Sequence, residues 1–130
     1  MIRDVLAVFV GGLLGTALRL GIDALLPHSD NEFPLSTLLI NVVGAFALGA
    51  LVARLWPSAA PWLKAALGPG LLGSFTTFSA VAVALVSITA AGDAFMAVGY
   101  LALTLLLGVG AAALGLGLGR RIIPTPEYEE

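Results

Sequence analysis

Four long apolar runs, separated by short polar interruptions, take up nearly the whole chain. They cover residues 5–26, 35–56, 63–91 and 94–118. Each is long enough to cross the hydrocarbon core of a bilayer, which takes about 20 apolar residues in helical form. The first interruption runs from Pro27 to Pro34 through His28, Asp30 and Glu32, a polar turn with two prolines. Trp56-Pro57 and Pro61-Trp62 bracket the second, and both indoles suit the aromatic belt at a membrane surface. Gly92-Asp93 makes the third turn, and Arg120-Arg121 ends the fourth run. The pattern predicts an all-α membrane protein with four transmembrane helices in one domain. Residues 122–130 hold two prolines and three glutamates and read as a mobile tail.

Composition removes the soluble alternative. Of 130 residues, 59% are hydrophobic and 11% charged, with a mean hydropathy of +1.05. A soluble domain of this size needs a polar surface that this chain cannot supply. Four spans exhaust the length, so no further domain is expected. Met1-Ile2-Arg3-Asp4 opens like a signal peptide, but the apolar run outlasts an h-region of about 7–15 residues and reads as a retained first helix. There is no cysteine, hence no disulfide and no thiol-ligated metal.

The charges sort by side. With four spans, Arg3, Arg54, Lys64, Arg120 and Arg121 all fall beside the termini, while Asp30, Glu32, Asp93 and His28 fall on the other side. The positive-inside rule predicts a multi-pass protein of the cell membrane with both termini and the tail in the cytoplasm.

The third run is too long for one plain span, and its centre is unusual. Residues 70–79 read Gly-Leu-Leu-Gly-Ser-Phe-Thr-Thr-Phe-Ser, with two glycines and four hydroxyls. Loosened, polar backbone persists at membrane depth only where it is buried in protein or lines a watery cavity. The expected arrangement is a short half-helix, a break near 73–76, and a second helix from about residue 77. Freed carbonyls between Gly73 and Thr76 would suit a hard cation such as Na⁺. Phe75 and Phe78 read as core residues, although the positive edges of phenyl rings also suit an anion that has shed water.

Other polar residues lie inside the spans. Arg19 marks either a pathway or a partner, since an arginine at mid-bilayer costs about 2.5–3.5 kcal/mol on insertion scales. Asp23, one turn on, offers the plainer reading of a pair that snorkels outward. Asn41 is a lone amide, suited to interhelical glue or to donating to an anion. Tyr100 and Thr104 share a face of the fourth helix. With Asn41 and the hydroxyls of the break, among them Thr77 and Ser79, they would make a polar track. The first helix carries Gly11-Gly12-x-x-Gly15, a close-approach motif.

Absences narrow the function. The spans hold no glutamate and, apart from Asp23, no acidic residue well inside the membrane. A proton-coupled cation or multidrug exporter needs such a carboxylate as proton carrier. No nucleophile–base pair is visible and the single histidine lies in a loop, so no enzymatic activity is expected. No phosphate-binding glycine loop or nucleic-acid patch is present.

Three stretches in order, Gly11-Gly12-Leu13-Leu14-Gly15-Thr16-Ala17-Leu18-Arg19, Asn41-Val42-Val43-Gly44 and the run at 70–79, give the chain a likeness along nearly its full length. It resembles the Fluc (CrcB) family of fluoride channels, small four-helix proteins that work as antiparallel dimers of the dual-topology type. The resemblance implies a passive, fluoride-selective pore that sheds cytoplasmic fluoride and so lowers its toxicity. It also implies a structural, untransported Na⁺ at the dimer centre, held by the carbonyls of Gly73 and Thr76 from both subunits. Two pores per dimer would be lined by Phe78, Asn41, Tyr100 and Thr104, and Arg19 matches the arginine that shapes the vestibule.

One departure stands out. The family pattern continues Thr-Thr-Phe-Ser-Thr-Phe, whereas this chain reads Thr76-Thr77-Phe78-Ser79-Ala80-Val81. The second phenylalanine is replaced by Val81, so a homodimer would have two incomplete pores. The one-sided charges also favour a single insertion direction. Both features point to a heterodimer with an inverted paralogue. The alternatives from other classes are a small multidrug or cation exporter and a non-transporting structural membrane protein.

Overall fold

The computed structural model describes residues 1–121, so the tail prediction for 122–130 lies outside the described residues. Helices α1 (Ile2–Leu25) and α2 (Leu35–Arg54) form the first two spans. The third span is composite. It runs through α3 (Pro61–Ala65), a π-helical segment (Ala66–Leu72), the single turn α4 (Gly73–Phe75) and α5 (Phe78–Ala90). The fourth is α6 (Ala94–Arg121). All four spans are long and apolar enough to cross a membrane, and the protein is a multi-pass membrane protein. Leucines such as Leu13, Leu18 and Leu106 stay exposed, as a lipid-facing surface requires.

The spans associate as two parallel pairs, each seated on small residues. On α1, Gly11 faces the backbone of Ala66 and Leu71, and Gly15 that of Leu71 and Phe75. A Cβ at either glycine would collide with a carbonyl oxygen, of Ala66 or of Leu71. The α2–α6 pair repeats the device, with Gly49 against Ala112 and Gly115 against Phe46 and Ala50. Without a hydrophobic drive between helices in lipid, such close backbone approach is what holds a pair together. Two small clusters complete the core: Ile40, Leu72 and Phe75, and Leu38, Val81 and Tyr100.

The third span breaks later than the sequence suggests, and it carries a second irregularity upstream. Gly73–Phe75 is still helical, and the extended residues are Thr76 (ψ 156°) and Thr77 (φ −148°, ψ 115°). The break expected near 73–76 is therefore corrected to 76–77. Before it, Ala66–Leu72 is wound as a π-helix around Pro69. Proline lacks the N–H of a regular turn and its ring crowds the preceding carbonyl, so the ladder widens there instead of closing. The two irregularities redirect the chain. The first half of the span packs on α1, and α5 leans on α6.

Candidate functional site: a groove at the broken span

The break is fixed from outside by one side chain. The Asn41 Nδ2 group donates to the Thr77 carbonyl at 2.9 Å, and the Thr77 N–H donates to Asn41 Oδ1 at 2.8 Å. This two-way pairing settles which end of the amide is which, because the N–H needs an oxygen and the carbonyl needs an N–H. One amide hydrogen of Asn41 is left over for another acceptor. The interhelical-glue reading thus has a specific form, a clamp from α2 onto the extended backbone.

The hydroxyls of the break are mostly engaged with backbone. Thr76 Oγ1 donates to the Leu72 carbonyl at 2.9 Å. Thr77 is the N-cap of α5, where its Oγ1 accepts from the Ala80 N–H at 3.2 Å and lies 3.1 Å from Ser79 Oγ. An N-cap of this kind contributes about 1 kcal/mol to the helix it starts.

The clamp and the cap have a joint effect on the carbonyls. In a continuous helix the Thr77 N–H would bond the Gly73 carbonyl and the Ala80 N–H would bond the Thr76 carbonyl. Here those two donors go to Asn41 and to the Thr77 hydroxyl. The four carbonyls from Gly73 to Thr76 lose their helical donors in this way, and Gly73 and Thr76, the two residues that the resemblance implies as cation ligands, are among them. The first two N–H groups of α5, on Phe78 and Ser79, begin a helix at membrane depth with its partial positive end toward the break. One short stretch thus offers oxygens to a cation and N–H groups to an anion. Among the described residues there is no group of three His, Asp or Glu side chains that could hold a metal.

A lateral groove of about 640 Å³ runs from Trp56 to the break, lined by Asn41, Gly73, Thr76, Thr77, Phe78, Val81 and Thr104 among its residues. It brings together most of the residues singled out in the sequence. The two phenylalanines part company. Phe75 is a core residue, 6% exposed, while the Phe78 ring is 85% exposed beside the groove. Tyr100 lies behind the groove wall, fully buried against Leu38 and Val81, with its ring edge-on to Phe33 at 5.5 Å. Its hydroxyl and that of Thr104, one turn on, are buried and lie close enough to engage each other, with no other partner among the described residues. Val81 is 3% exposed and packs in the Tyr100 cluster, so the valine belongs to the chain's own core as well as to the groove wall. Ser79 is exposed on the first turn of α5.

Arg19 lies on α1, outside the groove. It makes no ion pair with Asp23, since the Met1–Asp4 pair at 3.1 Å is the only one among the described residues. The snorkelling pair is thereby corrected. Asp23 lines instead a cavity at the far end of the bundle from the termini, with His28, Asp30 and Glu32.

Sequence reasoning missed two contributors. Trp56 closes one end of the groove against Gly68, so it is more than an interfacial anchor. The wide turn at Pro69 was legible in principle, because Gly68-Pro69-Gly70 is an improbable triplet for a regular helix interior.

Comparison with known proteins places these features in context. Residues 6–116 match the family described as CrcB-like protein, Camphor Resistance (CrcB). The chain is 38% identical over 115 residues to the fluoride-specific ion channel FluC of Paracoccus denitrificans, covering 88% of this chain and 93% of that protein. It is 37% identical over 110 residues to the fluoride-specific ion channel FluC 2 of Geobacillus kaustophilus, covering 80% and 83%. With the fluoride-specific ion channel FluC 1 of Mycobacterium bovis it shares 35% identity over 122 residues, 92% of each.

Proposed function

The chain belongs to the CrcB-like family, and from that premise we propose that it is a subunit of a passive, fluoride-selective channel through which cytoplasmic fluoride leaves the cell. It is not an enzyme. The observation that carries the reading is the break at Thr76–Thr77, which bares helix N–H groups and carbonyls beside an exposed phenylalanine in the middle of a membrane span. A small anion is served by the free amide hydrogen of Asn41, by the edge of the Phe78 ring and by the neighbouring hydroxyls of Tyr100 and Thr104. Phe78 then has a function without a structural duty. Phe78→Ala is expected to leave the thermal unfolding midpoint in detergent within about 1–2 °C of the parent, as surface changes do. The same change is expected to lower fluoride efflux from loaded vesicles by about tenfold or more, the equivalent of roughly 1.4 kcal/mol on the barrier.

The assembly we propose is an antiparallel pair in the bilayer. An exposed ring and an open groove of about 640 Å³ make an incomplete pore wall that a second chain would close. The carbonyls of Gly73 and Thr76, stripped of helical donors, suit a structural Na⁺ shared across the pair, where the ion would neutralise facing carbonyl dipoles. Span direction gathers Arg3, Arg54, Lys64, Arg120 and Arg121 at one end of the bundle. By the positive-inside rule that end is cytoplasmic, with both termini there. Arg19, on α1 and apart from the groove, would shape the potential of the vestibule from a distance.

Fixed orientation and Val81 together support an inverted paralogue as partner. Reconstituted alone in vesicles, the chain is expected to give fluoride efflux near the protein-free background when followed with a fluoride electrode. With a co-expressed CrcB-like chain of opposite charge bias, efflux is expected to rise well above it. Selective efflux from this chain alone would rule out the obligate heterodimer and leave the channel reading intact.

A further inference from the structure

A second groove, of about 510 Å³, lies on the opposite side of the third span from the break groove. Arg3, Leu6, Val10 and Leu14 of α1 form one wall, with Trp62 and Leu71 on the other. Ala7, Gly11 and Ala66 keep its floor low. Arg3 is the only charged residue lining it. The Arg3 guanidinium sits 5.9 Å from the centre of the Trp62 ring. The neighbouring carboxylate, Asp4, is taken by the Met1 amino group at 3.1 Å, which leaves Arg3 without an acidic partner among the described residues.

We propose that this groove is a binding site for one anionic phospholipid. The phosphate sits on Arg3 and one acyl chain lies along Leu6, Val10 and Leu14. Charge and length both fit this occupant. One uncompensated cation at the mouth of a wholly apolar trough is the complement of an anionic amphiphile, and guanidinium matches phosphate oxygens two at a time. From Arg3 to Leu14 is eleven residues of helix, about 16 Å, close to half of a hydrocarbon core of about 30 Å. The trough therefore holds a chain through one leaflet. Trp62 lies at the very start of the third span, the kind of position near a membrane surface where indoles concentrate. The site also bears on the fold, because the lipid would cover the α1–third-span seam at Gly11.

The test is native mass spectrometry on the full chain in its purified assembly, offered equal amounts of phosphatidylglycerol and phosphatidylcholine. The parent is expected to retain phosphatidylglycerol with a preference of about fivefold, the factor for one cation beside anionic headgroups. Arg3→Gln is expected to bring that preference near unity. Val10→Trp, at an exposed position, is expected to fill the trough and reduce retained lipid of both kinds. Arg120→Gln, which removes a charge at the same end of the bundle, is expected to behave as the parent. The proposal fails if Arg3→Gln keeps the preference, or if Arg120→Gln loses it equally, which would mark a general surface-charge effect. It also fails if Val10→Cys forms disulfide-linked pairs in the membrane, because the trough would then hold a second chain. None of these outcomes depends on fluoride flux.

Discussion

Asn41→Leu removes fluoride permeation while leaving the protein in the membrane. Leucine keeps the branched skeleton of asparagine but neither half of the clamp, so the Thr77 N–H and carbonyl lose their partners together. Each orphaned, part-buried backbone group costs about 1–3 kcal/mol. With that much lost, the extended conformation at 76–77 no longer wins over a continued helix, in which Thr77 would again bond Gly73. Efflux from fluoride-loaded vesicles is expected to fall by about thirtyfold or more, the equivalent of about 2 kcal/mol on the barrier. Asn41→Asp separates the two halves. Its carboxylate still accepts from the Thr77 N–H but presents an oxygen to the Thr77 carbonyl where an N–H is needed. If Asn41→Asp conducts as well as the parent, the donating half of the clamp is dispensable.

The second large effect falls on assembly of the chain itself. Gly11→Val combined with Gly15→Val drives two branched side chains into the backbone of the third span, at Ala66 and Leu71. Neither contact is with a flexible side-chain tip, so relief requires α1 to move away. Overpacking costs about 1–3 kcal/mol per site, and here both sites lie on one seam, where the losses compound. The double variant is expected to lose its monodisperse peak in size-exclusion chromatography, or to unfold many degrees below the parent. Gly21→Val, on the same helix but with nothing within 4 Å of its Cβ, is the control and is expected to match the parent. A normal peak for the double variant would mean that α1 is not held by backbone contact.

The two effects have different origins in the sequence. The glycine seam was visible as Gly11-Gly12-x-x-Gly15, because spacing alone puts small residues on one helical face. The span count and the family motifs were equally legible, since hydropathy and residue identity carry them. The position of the break was not. Two glycines at 70 and 73 suggested that the backbone loosens there, yet Gly73 is helical and the chain opens at two threonines. What decides the matter is a tertiary bond from Asn41, 36 residues away, and no local propensity encodes it. The sorting of Phe75 inward and Phe78 outward has the same cause, because the turn that separates them is extended and cancels helical periodicity. Arg19 and Asp23, at ideal spacing for a pair, do not form one, and Asp23 lines the cavity with His28, Asp30 and Glu32 instead.

The wide turn at Ala66–Leu72 acts on the span as a vernier. A π-turn holds one residue more than an α-turn, so whatever follows it is rotated by about 100° from the setting a regular helix would give. In that setting Gly15 meets the Phe75 N–H side of the chain, and the Thr76 methyl rests against Gly44. The angular aim of the residues at the break is thus counted out in backbone upstream of it. The loops on either side can gain or lose a residue at little cost, whereas in the third span the number of residues is itself part of the site.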